Sequence, residues 1–535
     1  MDPSAATASG PKAGRREWIG LIVLALPTLL LSLDFSVIYL AIPHLSTDLG
    51  ADSTQQLWIA DIYGFMVAGF LITMGTLGDR IGRRRLLLIG AALFGVASVV
   101  AAFSTSAEML IATRAIMGIT GATLMPSTLA LISNMFKDPK ESGMAIAAWM
   151  SCFMGGMALG PVVGGTMLDN FWWGSVFLLG VPVMVLLVVV GPILLPEYRD
   201  PDAGRLDMVS VLLSLLAILP IVYGLKELAK DGWAAVPVVT ILVGVAFVPV
   251  FVIRQRGLAS PLVDMSLFRN RTFSAALFVG LLVPMLQGGT YFLIAQHLQS
   301  VEGLEPIKAG LWLVPSTLIM IFAIGTGTAL AARVRPGYVF TAGLLIGTVG
   351  YAVLSQVDGP DQLVKLWIGY AIMALGVGLP SGLGTALILG AAPPEKAGSA
   401  SSISEASGEL GMALGVAMLG SLATFVYRSE LSGNVPGAVP PHSADIAEDN
   451  IAAAVSVAEG LPQPLGGQFL GTVRDAFADG LGTVAIVSGV IFAALAVFSA
   501  VMFRHIPPTG SQEGGDEAAE AEDAGVGSDA AAGPR

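Results

Sequence analysis

Long apolar runs separated by short polar stretches set the pattern of this chain. A helix needs about 20 mostly apolar residues to cross a bilayer, and it is the favoured spanning element because it satisfies its own backbone. Fourteen runs meet that length, at 17–43, 55–78, 84–103, 107–134, 141–168, 173–196, 206–226, 233–254, 271–298, 306–332, 336–355, 363–390, 398–427 and 481–504. Several exceed it, which predicts tilt or extension beyond the bilayer. One interval breaks the rhythm: residues 429–480 separate the last two runs. It opens Pro/Gly-rich at Asn434-Val435-Pro436-Gly437, then carries two Ala-rich pieces, Ala444–Glu459 and Gly466–Asp479, around Pro462-Gln463-Pro464. Two short amphipathic helices are expected there, on the extracellular side, forming either a lid over the outer mouth or a surface hairpin.

Composition agrees with the pattern. The chain is 54% hydrophobic and 12% charged, against about 25% charged in soluble domains. A polytopic membrane protein follows, in contact with the lipid bilayer and with no nucleic-acid partner. The N-terminus is polar up to Glu17 and the first run is long enough to span, so no cleavable leader is expected. One cysteine, Cys152, and four scattered histidines offer no disulfide framework and no metal-ligand spacing. Half of the net charge of −12 lies in the last stretch, where seven carboxylates between Glu513 and Asp529 face Arg535 alone. That stretch reads as a solvated acidic tail.

The basic residues set a sidedness. With both termini in the cytoplasm, twenty of the 27 Lys and Arg fall on the cytoplasmic side, among them Arg80, Arg83, Arg84 and Arg85. Six fall outside, including Lys226 at the outer end of the seventh run, and Arg114 lies within a span.

Against this background, Asp34, Asp61, Glu405 and Glu409 stand inside apolar runs. A charge at the bilayer centre costs roughly 2.5–3.5 kcal/mol on insertion scales, so such residues tend to face a cavity and to function. At about 1.5 Å per residue, Asp61 lies ~9 Å, Arg114 ~10 Å and Asp34 ~14 Å from the outer side. These three are expected to share one outer-half cavity, with Arg114 opposite Asp34 as a structural partner or as a coupling switch. Glu405 and Glu409 are four apart and share a helical face. Trp58 and Tyr63 flank Asp61, while Trp149, Phe153 and Met154 lie in the fifth run. Each offers either ordinary packing or cation–π and apolar contact to a flat cation.

Two motifs carry a specific resemblance. The loop after the second run reads Gly75-Thr-Leu-Gly-Asp79-Arg80-Ile-Gly82-Arg83-Arg84-Arg85. Its glycines allow a tight turn, and Asp79 can accept bonds from an Arg or a helix N-terminus. The fifth run carries Gly156-Met-Ala-Leu-Gly160-Pro161-Val-Val-Gly164-Gly165, with small-xxx-small spacing for close helix approach and a kinking proline. The first resembles the signature loop of the major facilitator superfamily and the second its drug-antiporter motif. Leu33–Pro43, Gln55–Tyr63, Pro261–Phe273 and Gly398–Gly411 are similar to the fourteen-helix drug:proton antiporters of that superfamily, over almost all of residues 15–505. Two departures stand out. Where that pattern has adjacent acids in helix 13, this chain has Ser404 then Glu405, and an acid associated with divalent cations in helix 10 is here Met320.

The resemblance implies an all-α membrane protein with the major facilitator fold, two six-helix bundles plus a two-helix insert. The expected division is a tail at 1–16, bundles at 17–200 and 259–505, an insert at 201–258 and a tail at 506–535. It implies no enzyme activity and no cofactor, with the proton gradient as the energy source. The implied partners are protons and hydrophobic, mainly monovalent cations such as quaternary ammonium compounds and dyes. The alternative is a dedicated proton-driven exporter of a single antibiotic or of an endogenous lipid or metabolite. The setting would be a bacterial cytoplasmic membrane, the working unit a monomer, and rocking of the bundles the mechanism.

Overall fold

A computed structural model of the chain describes residues 12–199, 207–231, 234–258, 261–393 and 396–508. The outer part of the N-terminal tail and the acidic tail from 509 onward lie outside the described residues. Among the described residues there is helix and no strand, and fourteen helical segments are long and apolar enough to cross a membrane.

Among the described residues there are eighteen α-helices. The first five are α1 (Arg15–Leu49), α2 (Ser53–Ile81), α3 (Arg83–Ala102), α4 (Ala107–Gly121) and α5 (Leu124–Met135). Next come α6 (Pro139–Asn170), α7 (Ser175–Leu178), α8 (Gly180–Leu194), α9 (Met208–Asp231) and α10 (Ala235–Gly257). Then follow α11 (Arg271–Gln296), α12 (Pro306–Ala331), α13 (Pro336–Leu354) and α14 (Leu363–Gly390). The last four are α15 (Ala397–Asn434), α16 (Pro441–Asp449), α17 (Ile451–Gly460) and α18 (Leu465–Met502). The fourth crossing is α4 followed by α5, and the sixth is α7 followed by α8. The α11 crossing ends in a π-helical turn, His297–Val301.

An even number of crossings puts the start of α1 and the end of α18 on one face, called here the termini face. The opposite face carries the α16–α17 hairpin. Within the first bundle, α1 packs on α6 and α8, and α2 and α3 pack on α4. Within the second, α11 packs on α15, α14 on α12 and α13, and α18 on α13 and α15. The insert pairs α9 with α10, and α9 leans on both α2 and α15.

The interval before the last crossing differs from the expectation. Ala444–Glu459 is two helices, divided at Asn450, whose side chain accepts the Ala453 amide and caps α17. Gly466–Asp479 is the opening of the 38-residue α18 rather than a separate helix. The hairpin is anchored to both bundles: Asn450 Nδ2 donates to the Ala51 carbonyl at 3.0 Å, and the Tyr427 hydroxyl donates to the Ala447 carbonyl at 2.8 Å.

The bundles meet along α2–α15, α6–α12 and α1–α11. Their named contacts all fall toward the hairpin face. Leu57 packs at Gly420, Gly64 faces Ala413, and Gly165 lies against Pro306 and Ile307. Gln299 Nε2 donates to the Leu40 carbonyl at 3.1 Å, and the Tyr39 and Tyr291 rings stand 5.4 Å apart. Toward the termini face the positions of Gly75 on α2, Gly325 on α12 and Gly408 on α15 look onto open space. The contacts that join the bundles are made at the hairpin face, and these three positions toward the termini face have no neighbour across the seam.

Candidate functional site

The four acids sort into three settings. Asp34 Oδ2 is 2.6 Å from Arg114 Nη1, and the guanidinium is almost wholly buried. Arg114 Nε also donates to the Ile59 carbonyl at 3.3 Å, and its Cζ lies 4.7 Å over the Tyr63 ring and 5.9 Å over that of Phe177. One cation thus ties α1, α2 and α7 together from its seat on α4. Asp34 borders a small enclosed space with Phe94, Ser98 and Met117, on the side of α1 turned toward α3 and α4.

Asp61 does not join that pair, which corrects the expectation of one shared cavity. Its partner is Lys226 on α9, with Nζ 2.8 Å from Oδ2 and donating to Oδ1 at 3.0 Å, both side chains at 0% exposure. Trp58 covers the ammonium, its ring centroid 3.8 Å from Nζ. Asp61 and Phe65, one turn apart on α2, face Val222 and Lys226, one turn apart on α9. Lys226 is therefore a buried counter-ion rather than an outer loop residue. The seventh span continues as helix to Asp231, which carries Lys226 back inside.

Glu405 and Glu409 sit on the half of α15 nearer the termini face, half-buried. Among the described residues neither has an ion-pair partner, and Glu409 Oε2 is buried without a hydrogen bond. The Glu409 backbone carbonyl packs toward Gly64 of α2, so this turn belongs to the seam between the bundles.

One turn further along α15, Met412 enters the central cavity between the bundles. That cavity holds about 50 Å³ of free space and is lined by Tyr39, Tyr291 and Tyr370, by Met157, Met320, Met373 and Met412, and by Gln287, Ser316 and Thr317. Gln287 Nε2 lies 3.1 Å from Met320 Sδ. No carboxylate lines it. Polarizable thioethers and aromatic faces suit a flat, apolar or softly cationic guest of variable shape.

Of the aromatic and sulfur candidates, only Met320 lines this cavity. Trp58 is engaged with Lys226, Tyr63 with Arg114, and Trp149 is buried with its indole Nε1 unpartnered. Phe153 and Met154 are half-buried on α6 and do not line it. The tyrosines and most of the methionines were invisible as a set, because they come from α1, α6, α11, α12, α14 and α15, and no single helix repeats them.

The motif residues have definite places. Gly156 and Gly160 bring α6 against α1, where an added Cβ would collide with Ser32 Oγ and Ser36 Oγ. Gly164 meets Val37, while Gly165 and the Pro161 carbonyl meet α12 at Ile307 and Gly310. At the termini face Asp79 Oδ1 takes two 2.7 Å contacts from Arg83, while Arg80 is exposed. Gly82 turns the chain at φ 112°, and a Cβ at Gly75 would meet no neighbour. Glu197 completes this latch: it accepts the Arg84 amide at 3.1 Å and pairs with the Arg84 side chain at 3.4 Å.

Comparison with known proteins bears on the family and the fold. The Major Facilitator Superfamily profile matches residues 24–416. The chain is 40% identical to the multidrug efflux pump LfrA of Mycolicibacterium smegmatis, covering 93% of this chain and 98% of that protein. It is 35% identical to the methyl viologen resistance protein SmvA of Salmonella typhimurium, covering 86% and 93%. It is 30% identical to the tetracenomycin C resistance and export protein of Streptomyces glaucescens, covering 93% and 95%. Among solved structures, a bacterial homologue of the human lysosomal transporter Spinster shares the fold, with TM-score 0.65 and 15% identity over 92% of this chain and 98% of that one. The chain belongs to the major facilitator superfamily, as a multi-pass membrane transporter of the drug-efflux type and not an enzyme.

Proposed function

We propose that this protein is a proton-driven antiporter that exports lipophilic, mainly monovalent cations, among them quaternary ammonium compounds and dyes. The observation that carries the reading is the pair Glu405 and Glu409 on one face of α15, without an ion-pair partner among the described residues, with Glu409 one turn from cavity-lining Met412. An intramembrane acid takes its compensating charge from a proton or from a bound cation, so exchange of one for the other couples the two flows. Asp34 and Asp61 already have protein cations, and enter the cycle only when Arg114 or Lys226 lets go.

A lipophilic cation enters the crevice from the termini face, which the basic loops assign to the cytoplasm. It rests on the tyrosines and methionines of the cavity and displaces a proton from the α15 acids. The bundles then rock, the hairpin face opens, and a proton arriving from outside replaces the cation. On this reading the protein works in a bacterial cytoplasmic membrane, as a monomer and without a cofactor. The absence of an acid at Met320 supports a preference for monovalent guests. The carboxylate-free lining of the cavity favours a second reading, export of a single uncharged aromatic antibiotic.

Ethidium efflux from proteoliposomes with an imposed pH gradient tests the first reading, with Glu405→Gln, Asp34→Asn and Asp61→Asn beside the wild type. Efflux that ignores the gradient, or three variants as active as the wild type, would sink it. Met320→Asp is expected to improve export of methyl viologen, a dication. Equal export by both proteins removes the monovalent preference.

A further inference from the structure

The pair buried under the insert has the make-up of a cation site. Lys226 Nζ lies 2.8 Å from Asp61 Oδ2 and 3.8 Å from the Trp58 ring centroid. A carboxylate and an indole face are the two groups that recognise an ammonium ion, one by its charge and the other by its quadrupole. Holding α9 against α2 does not call for charges. A well-packed apolar pair of similar volume would do so at least as well, since two ions must be stripped of water to be buried. The location adds to the argument. Phe65 of α2, Val222 of α9, and Ala413 and Ala417 of α15 form a small cluster beside the pair. Helices α2 and α15 belong to opposite bundles, and their contact must part when the hairpin face opens.

We propose that Asp61 and Trp58 form a second cation-binding site, separate from the central cavity, and that Lys226 is its resident occupant. The ammonium of Lys226 keeps the site neutral while the hairpin face is closed. When the α2–α15 seam parts, a lipophilic monocation with an ammonium or iminium centre takes its place against Trp58 and Asp61 on the way out. Return of Lys226 then expels that cation. The two-helix insert is in this way a tethered competitor for the substrate. The proposal rests on the cation-export reading above.

Ethidium binding to the purified full-length protein tests it. Lys226→Gln and Lys226→Met are expected to bind roughly tenfold tighter, a shift worth one modest charge interaction. Adding Asp61→Asn should remove the gain, Trp58→Leu should weaken it, and Lys226→Arg should bind as the wild type does. Folded Lys226 variants with unchanged affinity, or a gain that survives Asp61→Asn, overturn the proposal. A measurement on the wild type stands if those variants fail to fold. Acylation of Lys226 by an amine reagent, followed by peptide mass spectrometry, should rise several-fold with saturating ethidium, and no rise overturns the site. Gradient-driven ethidium efflux by the wild type separates the two ideas. Its loss sinks the export reading, whereas intact efflux without any Lys226 response sinks only the second site.

Discussion

At the residue scale, the Arg114 guanidinium serves as a hub because it makes a 2.6 Å ion pair, a carbonyl bond and two ring contacts at once. Planar, forked geometry is what allows this, and a lysine ammonium cannot reproduce it. Arg114→Lys is therefore expected to keep the fold but to lower ethidium efflux by at least about tenfold, while Arg114→Met strands Asp34. Loss of one partner of a buried pair costs about 3–5 kcal/mol, and the partial exposure of Asp34 puts this one at the lower end. A thermal melt in detergent reads the second effect and vesicle efflux the first. Outside the spans, Lys396 at the start of α15 holds Asp264 at 2.6 Å, and that hydrogen bond lowers the carboxyl below its usual value. A depressed acid contributes its stability above the ordinary aspartate value near 4 and loses it as pH falls through the lowered one. Partial exposure limits the worth to about 1 kcal/mol or less. The melting gap between wild type and Asp264→Asn should thus be present at pH 6 and close toward pH 3. The two buried pairs also mark what a sequence can tell. Arg114 and Asp34 were matched by counting depth from the same side. A hydropathy pattern makes Lys226 a span end, because it treats a charge as facing water and cannot see a partner on another helix.

At the element scale, the α1–α6 seam is built on the loss of side chains. Gly156 and Gly160 sit where any Cβ would strike Ser32 or Ser36. The spacing was legible in the chain, since small residues four apart define one face of one helix. Which helix they meet was not, because the serines of α1 are ordinary polar residues within an apolar run. Overpacking of such a seam costs about 1–3 kcal/mol. Gly160→Ala is expected to cut ethidium efflux by tenfold or more, while Gly160→Ala with Ser36→Gly regains part of it by removing the obstructing atoms. Efflux assays on matched amounts of membrane protein decide this, and a single variant with full activity refutes the steric account. The long loop teaches a different lesson. Gly466–Asp479 was separated from the last span because polarity changes there, yet helix continues without a break through Gly480 into the apolar part of α18. Polarity marks where a helix leaves lipid, not where it ends.

At the scale of the whole molecule, the number of crossings and the fold were legible, because each span announces itself in its own residues. The conformational state was not, since it depends on which of two sets of contacts between bundles is made. The structure makes the hairpin-face set. Helices α2 and α15 run antiparallel, with Leu57 at Gly420 and Gly64 at Ala413. The same register sets Gly75 opposite Ser402, on the open side of the seam. Rocking should exchange the two ends. In a background with Cys152→Ala, the pair Leu57→Cys and Gly420→Cys, in side-chain contact across the seam, should cross-link readily without substrate. The bond should block efflux until it is reduced. The pair Gly75→Cys and Ser402→Cys should cross-link slowly without substrate and faster when a proton gradient and ethidium drive turnover. Mass shifts of tryptic peptides report both bonds. Equal rates for the second pair with and without turnover would mean that α2 and α15 do not close at the termini face, and rocking about this seam would have to be abandoned.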